Sequence, residues 1–123
     1  MLETELASLA SQDYCYLTTI GRRTGKPHEI EIWFGLGEQT LYLLSGGGEK
    51  SDWVKNLKAQ PQVSVRIGKH TFAATARLVT DAGEEQLARR LLAAKYYGWR
   101  EGKQLNKWAS TALPVALDVN ATV

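Results

Sequence analysis

Leu2, Leu6, Leu9 and Ala10 recur at the spacing of one helical face and predict a short amphipathic helix within residues 1–12. From Tyr14 to Ile20 aromatic and β-branched residues dominate, which predicts a strand. His28 to Phe34 alternates, with Ile30, Ile32 and Phe34 on one face and Glu29, Glu31 and Trp33 on the other; this is the pattern of a half-buried strand. The stretch Gly35-Leu36-Gly37-Glu38-Gln39 reads as a turn and Thr40 to Leu44 as a third strand, so these two strands are expected to form a hairpin. Asp52 to Gln60 has helical character, with Ser51 or a neighbour as cap and Pro61 closing it.

Val63, Val65 and Ile67 alternate as a fourth strand, Gly68-Lys69 makes a two-residue turn, and His70 to Val79 makes a fifth. Asp81-Ala82-Gly83-Glu84 has the spacing of a capping box opening a helix that runs to about Tyr97. Gly98 to Asn106 is irregular or a short helical piece, and Leu113 to Val119 is a final strand. The order predicts an α+β, mainly β chain: about six short, mostly antiparallel strands in a small barrel with flanking helices, not a doubly wound parallel sheet. Residues 1–123 are expected to form one domain, with the helix at 1–12 and the barrel and its helices at 14–119.

Composition changes this picture little. Hydrophobic residues make up 44% and charged residues 23% of the 123, which supports an ordered core. A net charge of +2 does not call for nucleic acid as partner. Cys15 is the only cysteine, so it cannot form an internal disulfide, and the chain suits a reducing cytoplasm. The acidic start Met1-Leu2-Glu3-Thr4-Glu5 shows no signal peptide, and no apolar run reaches the roughly 18 residues of a membrane span.

Two basic glycine loops carry the candidate chemistry: Gly21-Arg22-Arg23-Thr24-Gly25-Lys26 and Ser45-Gly46-Gly47-Gly48-Glu49-Lys50. Glycines let backbone N–H groups approach a ligand closely. Arginine and lysine neutralise an anion, and the helix start after the second loop adds partial positive charge. Together they predict a pocket for an anionic small molecule, above all a phosphate-bearing cofactor. Neither loop is a known phosphate fingerprint: Ile20 stands five before Gly25 and Pro27 follows Lys26 where a P-loop needs Gly and Ser/Thr, and Ser51 takes the third glycine position of G-x-G-x-x-G. A solvated hairpin tip accounts for Arg22, Arg23 and Lys26 equally well from spacing alone.

Trp53, Val54 and Leu57 form an apolar stripe best explained as core, whereas Asn56 has a polar task toward a loop or a ligand. Tyr96, Tyr97 and Trp99 either cover the barrel or line a slot for a planar substrate, with a tyrosine hydroxyl as donor. His28 and His70 have no metal-ligand spacing, though His28 beside the basic loop can donate to an anion. Cys15 reads as a buried apolar residue, not a nucleophile, and Glu29 and Glu31 as a solvated face.

Thr18 to Pro27, then Ser45-Gly46-Gly47, then Asp52-Trp53-Val54-Lys55-Asn56-Leu57-Lys58-Ala59-Gln60-Pro61 and the strand pair after it, resemble the deazaflavin-dependent nitroreductase and quinone reductase family. That family belongs with the split β-barrel flavoproteins, alongside pyridoxamine-phosphate oxidase-like proteins. The resemblance covers most of residues 14–119. It implies coenzyme F420, a deazaflavin with a phosphodiester and an oligoglutamate tail. It further implies hydride transfer from the reduced form to a quinone, nitroaromatic or activated alkene, with the cofactor supplying the reactive carbon.

By position, the resemblance implies that Arg22, Arg23, Thr24 and Lys26 hold the anionic tail and phosphate; Gly25 of the same loop and His28 beside it complete the expected cofactor-binding set. Ser45, Gly46, Gly47 and Lys50 would cradle the phosphate or ring edge, with Trp53 and Asn56 bracing that second loop. Tyr96 or Tyr97 is the candidate catalytic hydroxyl. A homodimer also follows from the resemblance, since split barrels often pair with cofactor sites near the partner subunit. The chain departs from its relatives at Ser51-Asp52, where they often carry proline, and at His28, where arginine is common. Two alternatives stay open: an FMN-binding barrel of the same class, and a non-catalytic protein that binds a flavin or, through its basic loop, nucleic acid.

Overall fold

A computed structural model describes residues 1–123. Its elements in chain order are α1 (Leu2–Ala7), β1 (Cys15–Ile20), β2 (Pro27–Ile32), β3 (Gly35–Gly37), β4 (Thr40–Ser45), α2 (Asp52–Ala59), β5 (Gln62–Ile67), β6 (His70–Leu78), α3 (Ala82–Tyr97), α4 (Lys107–Thr111) and β7 (Leu113–Thr122), with a single 3-10 turn at Gly48–Lys50. The strands form one seven-stranded antiparallel sheet in the order β2-β1-β5-β6-β7-β4-β3. No helix is long and apolar enough to cross a membrane.

The order explains the curvature. β2 and β3 lie at opposite edges, yet only Trp33 and Phe34 separate Ile32 from Gly35. Three residue steps reach at most about 11 Å. Seven flat strands would hold their outer edges about 29 Å apart. The sheet therefore curls until its edges nearly meet, and a split barrel results. Phe34 sits in the crossing and is fully buried.

The sheet's concave side holds the larger core, which includes Cys15, Leu17, Phe34, Val63, Val65, Ile67, Phe72, Val115 and Leu117. Leu6 and Leu9 of the N-terminal segment pack into it, as their spacing predicts, and α2 adds Val54 and Leu57. A smaller core, built from Tyr42, Leu44, Val79, Ala88, Leu92, Ala112 and Ala116, seats α3 on the outside of β4 and β7. A polar clasp reinforces it. Arg77 on β6 donates to both carboxylate oxygens of Glu84 at 2.7 Å and to Asp118 at 2.7 and 3.2 Å, while the Tyr42 hydroxyl donates to Glu84 at 2.7 Å.

Several expectations need correction. Gly35–Gly37 is not part of a turn but the short edge strand β3, and the turn is reduced to Glu38-Gln39, with Glu38 at φ 57°. The expected hairpin between the second and third strands does not form: β2 pairs with β1, whereas β4 pairs with β3 and β7. The reason is closure, because the segment that alternates after Pro27 ends one barrel edge and its continuation begins the other. β3 raises the strand count from about six to seven. The first helix spans only Leu2–Ala7, and Lys107–Thr111 adds a helix capped by the Asn106 side chain, which accepts from Ala109 N–H at 3.1 Å. Asp81 caps α3 by accepting from Glu84 N–H at 2.9 Å, but the Glu84 carboxylate turns to Arg77 and leaves the reciprocal half of the box unmade.

Candidate functional site

The first glycine loop is a compact hairpin tip. Gly21 N–H donates to Lys26 O and Gly25 N–H to Gly21 O, both at 2.8 Å, and Gly25 adopts φ 72°, which a side chain would strain. The β1–β2 register sets what the tip overhangs. Leu17 pairs with Ile30 and Thr19 with His28, so Thr19 and His28 continue the inward face at the open end of the barrel. Trp53 and Asn56 of α2 close the other side. The resulting cavity of about 440 Å³ is lined by Thr19, Gly21, Arg22, Arg23, Thr24, His28, Glu29, Ile30, Asp52, Trp53 and Asn56.

Asn56 organises this end. It is 5% exposed, and its Oδ1 accepts from Arg22 N–H at 3.2 Å and from Arg22 Nη1 at 2.8 Å, while its Nδ2 donates to Thr19 Oγ1 at 3.4 Å. Asn56 thus braces the first loop and not the second, which corrects the expectation. A second strut runs from Arg22 Nη2 to Asp52 Oδ1 at 3.2 Å. Arg22 is consequently drawn inward, whereas Arg23 and Lys26 make no ion pair and keep their charges free. A Cβ at Gly21 would come within 2.8 Å of His28 Nε2 and of Thr24 Oγ1, so a side chain there would displace both groups from the cavity wall.

The second loop lies elsewhere. Gly46, Gly47 and Lys50 line a different cavity, of about 610 Å³, with Arg89 of α3 in its wall, and the two cavities share no residue. Ser45 is 2% exposed; its hydroxyl donates to Gly48 O at 3.0 Å and meets Ser51 Oγ at 2.9 Å, tying the loop to the start of α2. Ser51 takes the N-cap position of α2 without making a side-chain cap, because its hydroxyl is engaged with Ser45. A Cβ on Gly47 would stand 2.5 Å from Ser51 Oγ, so a side chain here would push that hydroxyl off its contact with Ser45.

The two tyrosines part company. The Tyr96 hydroxyl accepts from Phe34 N–H at 3.0 Å and lies 2.7 Å from Asp13 O and 3.1 Å from Phe34 O. Burial pushes its pKa up to about 12. It fastens the Trp33-Phe34 crossing to α3. Tyr97 is 52% exposed, its hydroxyl has no partner, and it borders a third cavity, of about 500 Å³, with Trp99, Arg100 and Lys103. Trp33 stacks on Tyr96 with centroids 4.2 Å apart and meets Trp108 edge-on at 5.6 Å. Trp108 Nε1 stands 3.7 Å from where a Cβ on Gly46 would be, so this aromatic group borders the second loop.

Sequence reasoning missed Trp33, Trp108, Asp52 and Arg89 as neighbours of the candidate site. Trp33 fell on the face assigned to solvent, and Trp108 and Arg89 carry no spacing signal. No group of three His, Cys, Asp or Glu side chains converges as a metal site. Cys15 is fully enclosed, and burial pushes its thiol up to about 12, so it offers no thiolate.

A curled antiparallel sheet with flanking helices and a basic loop over its open end defines a split barrel. Residues 3–120 match the family described as F420H(2)-dependent quinone reductase, and the chain belongs to that family. It is accordingly an oxidoreductase of the F420- or flavin-using class.

Solved structures share its fold. The conserved hypothetical protein Rv2991 from Mycobacterium tuberculosis is 21% identical with a TM-score of 0.82, covering 99% of this chain and 82% of that one. An F420-H2 dependent reductase (FDR-A) is 23% identical with a TM-score of 0.64, over 88% of this chain and 94% of that one. A structure described as a domain-swapped dimer is 23% identical with a TM-score of 0.65, over 88% of this chain and 80% of that one.

Proposed function

We propose that this protein binds coenzyme F420 through the first-loop cavity and catalyses hydride transfer from its reduced form to a planar acceptor: a quinone, a nitroaromatic or an activated alkene. The observation that carries the reading is the pairing of a rigid loop with free cations. Asn56 and Asp52 fix Arg22, and this holds the loop so that Arg23 lines the cavity without an ion pair, with the likewise unpaired Lys26 on the same loop. Such an arrangement suits a ligand with more than one negative charge, because ordering the loop in advance reduces the entropy lost on binding. FMN, with one phosphate, would leave part of this charge unused and is the alternative cofactor.

In this reading Arg23 and Lys26 neutralise the phosphate and acidic tail, and His28 donates a hydrogen bond to them. Thr24 and Gly25 shape the loop, and Gly21 leaves the room that a side chain would fill. Trp53 supplies an apolar wall, and Asn56 acts through Arg22 as a positioning residue. Ser45, Gly46, Gly47 and Lys50 cradle another polar part of the ligand or its ring edge. When bound, the cofactor supplies the hydride. The chain contributes orientation at near-attack distance and exclusion of water, with Trp33 and Trp108 as apolar cover near the second loop. Tyr97 is the available hydroxyl for charge developing on the acceptor, because Tyr96 is held by backbone groups.

We further propose that residues 1–123 act as one unit, that two copies pair, as in the relative described as a domain-swapped dimer, and that the protein works in the cytoplasm. The test is turnover. Purified protein with reduced F420 and a quinone should restore the oxidised deazaflavin spectrum with saturation in both substrates. Turnover with reduced FMN and none with reduced F420 would replace this reading by the alternative.

A further inference from the structure

The loop between α3 and α4 holds cations that the fold does not use. Residues 98–106 are folded back by their own backbone. Trp99 N–H donates to Ala93 O at 3.2 Å, and Lys103 N–H donates to Arg100 O at 3.1 Å, which closes a β-turn with Gly102 at φ 88° in its third position. Such a turn keeps the Cα atoms of its first and last residues, here Arg100 and Lys103, within about 7 Å of each other. The Trp99 indole N–H donates across the turn to Lys103 O at 2.8 Å, and the Arg90 guanidinium carbon lies 5.5 Å over the same ring. Two basic residues are thus brought together on a pinned turn.

Arg100 and Lys103 line the cavity of about 500 Å³, together with Tyr97, Trp99, Gln104 and Asn106. Neither cation makes an ion pair, and no carboxylate lines the cavity. Asn106 Oδ1 is spent on the cap of α4, which leaves its Nδ2 as a further free donor. The apolar side of this space is continuous with the candidate reaction site. The Tyr97 ring meets Trp33 edge-on at 5.9 Å and lies 6.0 Å from Trp108, and Trp108 borders the second glycine loop. An aromatic wall at one end and unpaired cations at the other match a flat molecule with an acid at its edge.

We propose that this cavity selects the electron acceptor: a planar, carbonyl-bearing ring system carrying a carboxylate or another oxyanion, with the ring against Tyr97 and the tryptophans and the acid on Arg100 and Lys103. Arg100 and Lys103 are then specificity-determining residues for the hydride transfer proposed above, on which this assignment rests. The acid is a handle and is not consumed. The acceptor's ring gains a hydride and, through solvent, the proton that reoxidation of the cofactor releases; the charged substituent is unchanged.

Binding is read first, in the cofactor-free full chain, from the four tryptophan indole N–H signals in an NMR titration. The probes are an anthraquinone carboxylate and the hydroxymethyl anthraquinone of the same shape. Saturable shifts are expected at Trp99 and Trp108, with the carboxylate bound about three- to tenfold more tightly and the difference shrinking at high salt. The Arg100 and Lys103 side chains make no hydrogen bond within the protein, so Arg100→Gln combined with Lys103→Gln keeps the fold. That variant should bring the two compounds within about twofold of each other. Lys55→Gln, which removes a cation from α2 outside this cavity, should keep the preference. Equal affinity for the two compounds in the wild type, a preference that survives the double variant, or an equal loss in Lys55→Gln overturns the site.

Turnover separates this inference from the reading beneath it. With reduced F420, kcat/KM for the carboxylate relative to the hydroxymethyl compound should fall in the double variant by the same factor as the binding preference. An unchanged ratio, or displacement of the carboxylate from Trp99 by oxidised F420, would give these cations a task other than the acceptor and overturn the assignment. Absence of turnover with either compound would count against the proposed function, while the cofactor-free titration decides the cavity's preference for acids on its own.

Discussion

Replacing Asn56 with alanine removes the acceptor on which the first loop is built. Asn56 Oδ1 takes one bond from the Arg22 guanidinium at 2.8 Å and one from the Arg22 backbone N–H at 3.2 Å. A bond to a charged donor contributes about 1.5–3 kcal/mol and a neutral one about 0.5–1.5 kcal/mol. The Arg22 side chain is 26% exposed, so water partly replaces the first bond and its lower limit applies. The expected loss is about 2–3 kcal/mol of unfolding free energy. If about 1 kcal/mol of that reflects loop order that the cofactor needs, its Kd rises roughly fivefold.

Urea denaturation measures the first quantity, with an unchanged slope expected because little new surface is exposed. Fluorescence titration with F420 measures the second. Asn56→Asp keeps an acceptor for Arg22 and should retain most of the stability, while its added negative charge in the cavity weakens anion binding. An Asn56→Ala protein with wild-type midpoint and wild-type affinity would refute the view that this side chain organises the loop.

Other consequences are equally direct. Arg23→Ala combined with Lys26→Ala should lower F420 affinity, more at low salt than at high salt, with the unfolding midpoint unchanged; Arg22→Ala should lower both affinity and midpoint. Asp52→Asn keeps an acceptor for Arg22, so the loop stays held, and removes a negative charge from the cavity wall; affinity for an anionic cofactor should rise about two- to fivefold, read in the same titration. Tyr96→Phe should lose about 1–2 kcal/mol of stability in a urea melt, since it removes hydroxyl contacts with Phe34 and Asp13, whereas Tyr97→Phe should leave stability alone and lower turnover. Arg77, then Tyr42, holds the Glu84 carboxyl down to about 2 from an ordinary 4.5, so its contribution is complete above pH 4.5 and is lost as pH falls toward 2. Acid unfolding of Glu84→Gln should show a shallower stability decline across that window, and an identical decline would contradict the clasp.

Much of this architecture was legible because local pattern and tertiary environment agree. The alternation at Val63, Val65 and Ile67, the apolar stripe of α2 and the Asp81 cap each describe an element whose buried face is continuous. The region from Trp33 to Gln39 was not legible. Its pairing is decided by closure of the sheet, and a Gly-Leu-Gly edge strand of three residues carries the composition of a turn. The chain order of the two basic loops pointed to one pocket, yet they border separate cavities, because α2 places Asn56 under the first loop while α3 places Arg89 under the second. Partners that are 34 residues apart, as Asn56 and Arg22 are, leave no trace in spacing.

The most direct test is a parallel fluorescence titration of cofactor-free protein with F420 and FMN, repeated on the Arg23→Ala, Lys26→Ala double variant. Tighter binding of F420 than of FMN, with the F420 preference lost in the variant, is the predicted result. FMN binding as tightly as F420, or an unchanged F420 preference in the variant, would contradict the assignment of the first loop to a multiply charged deazaflavin.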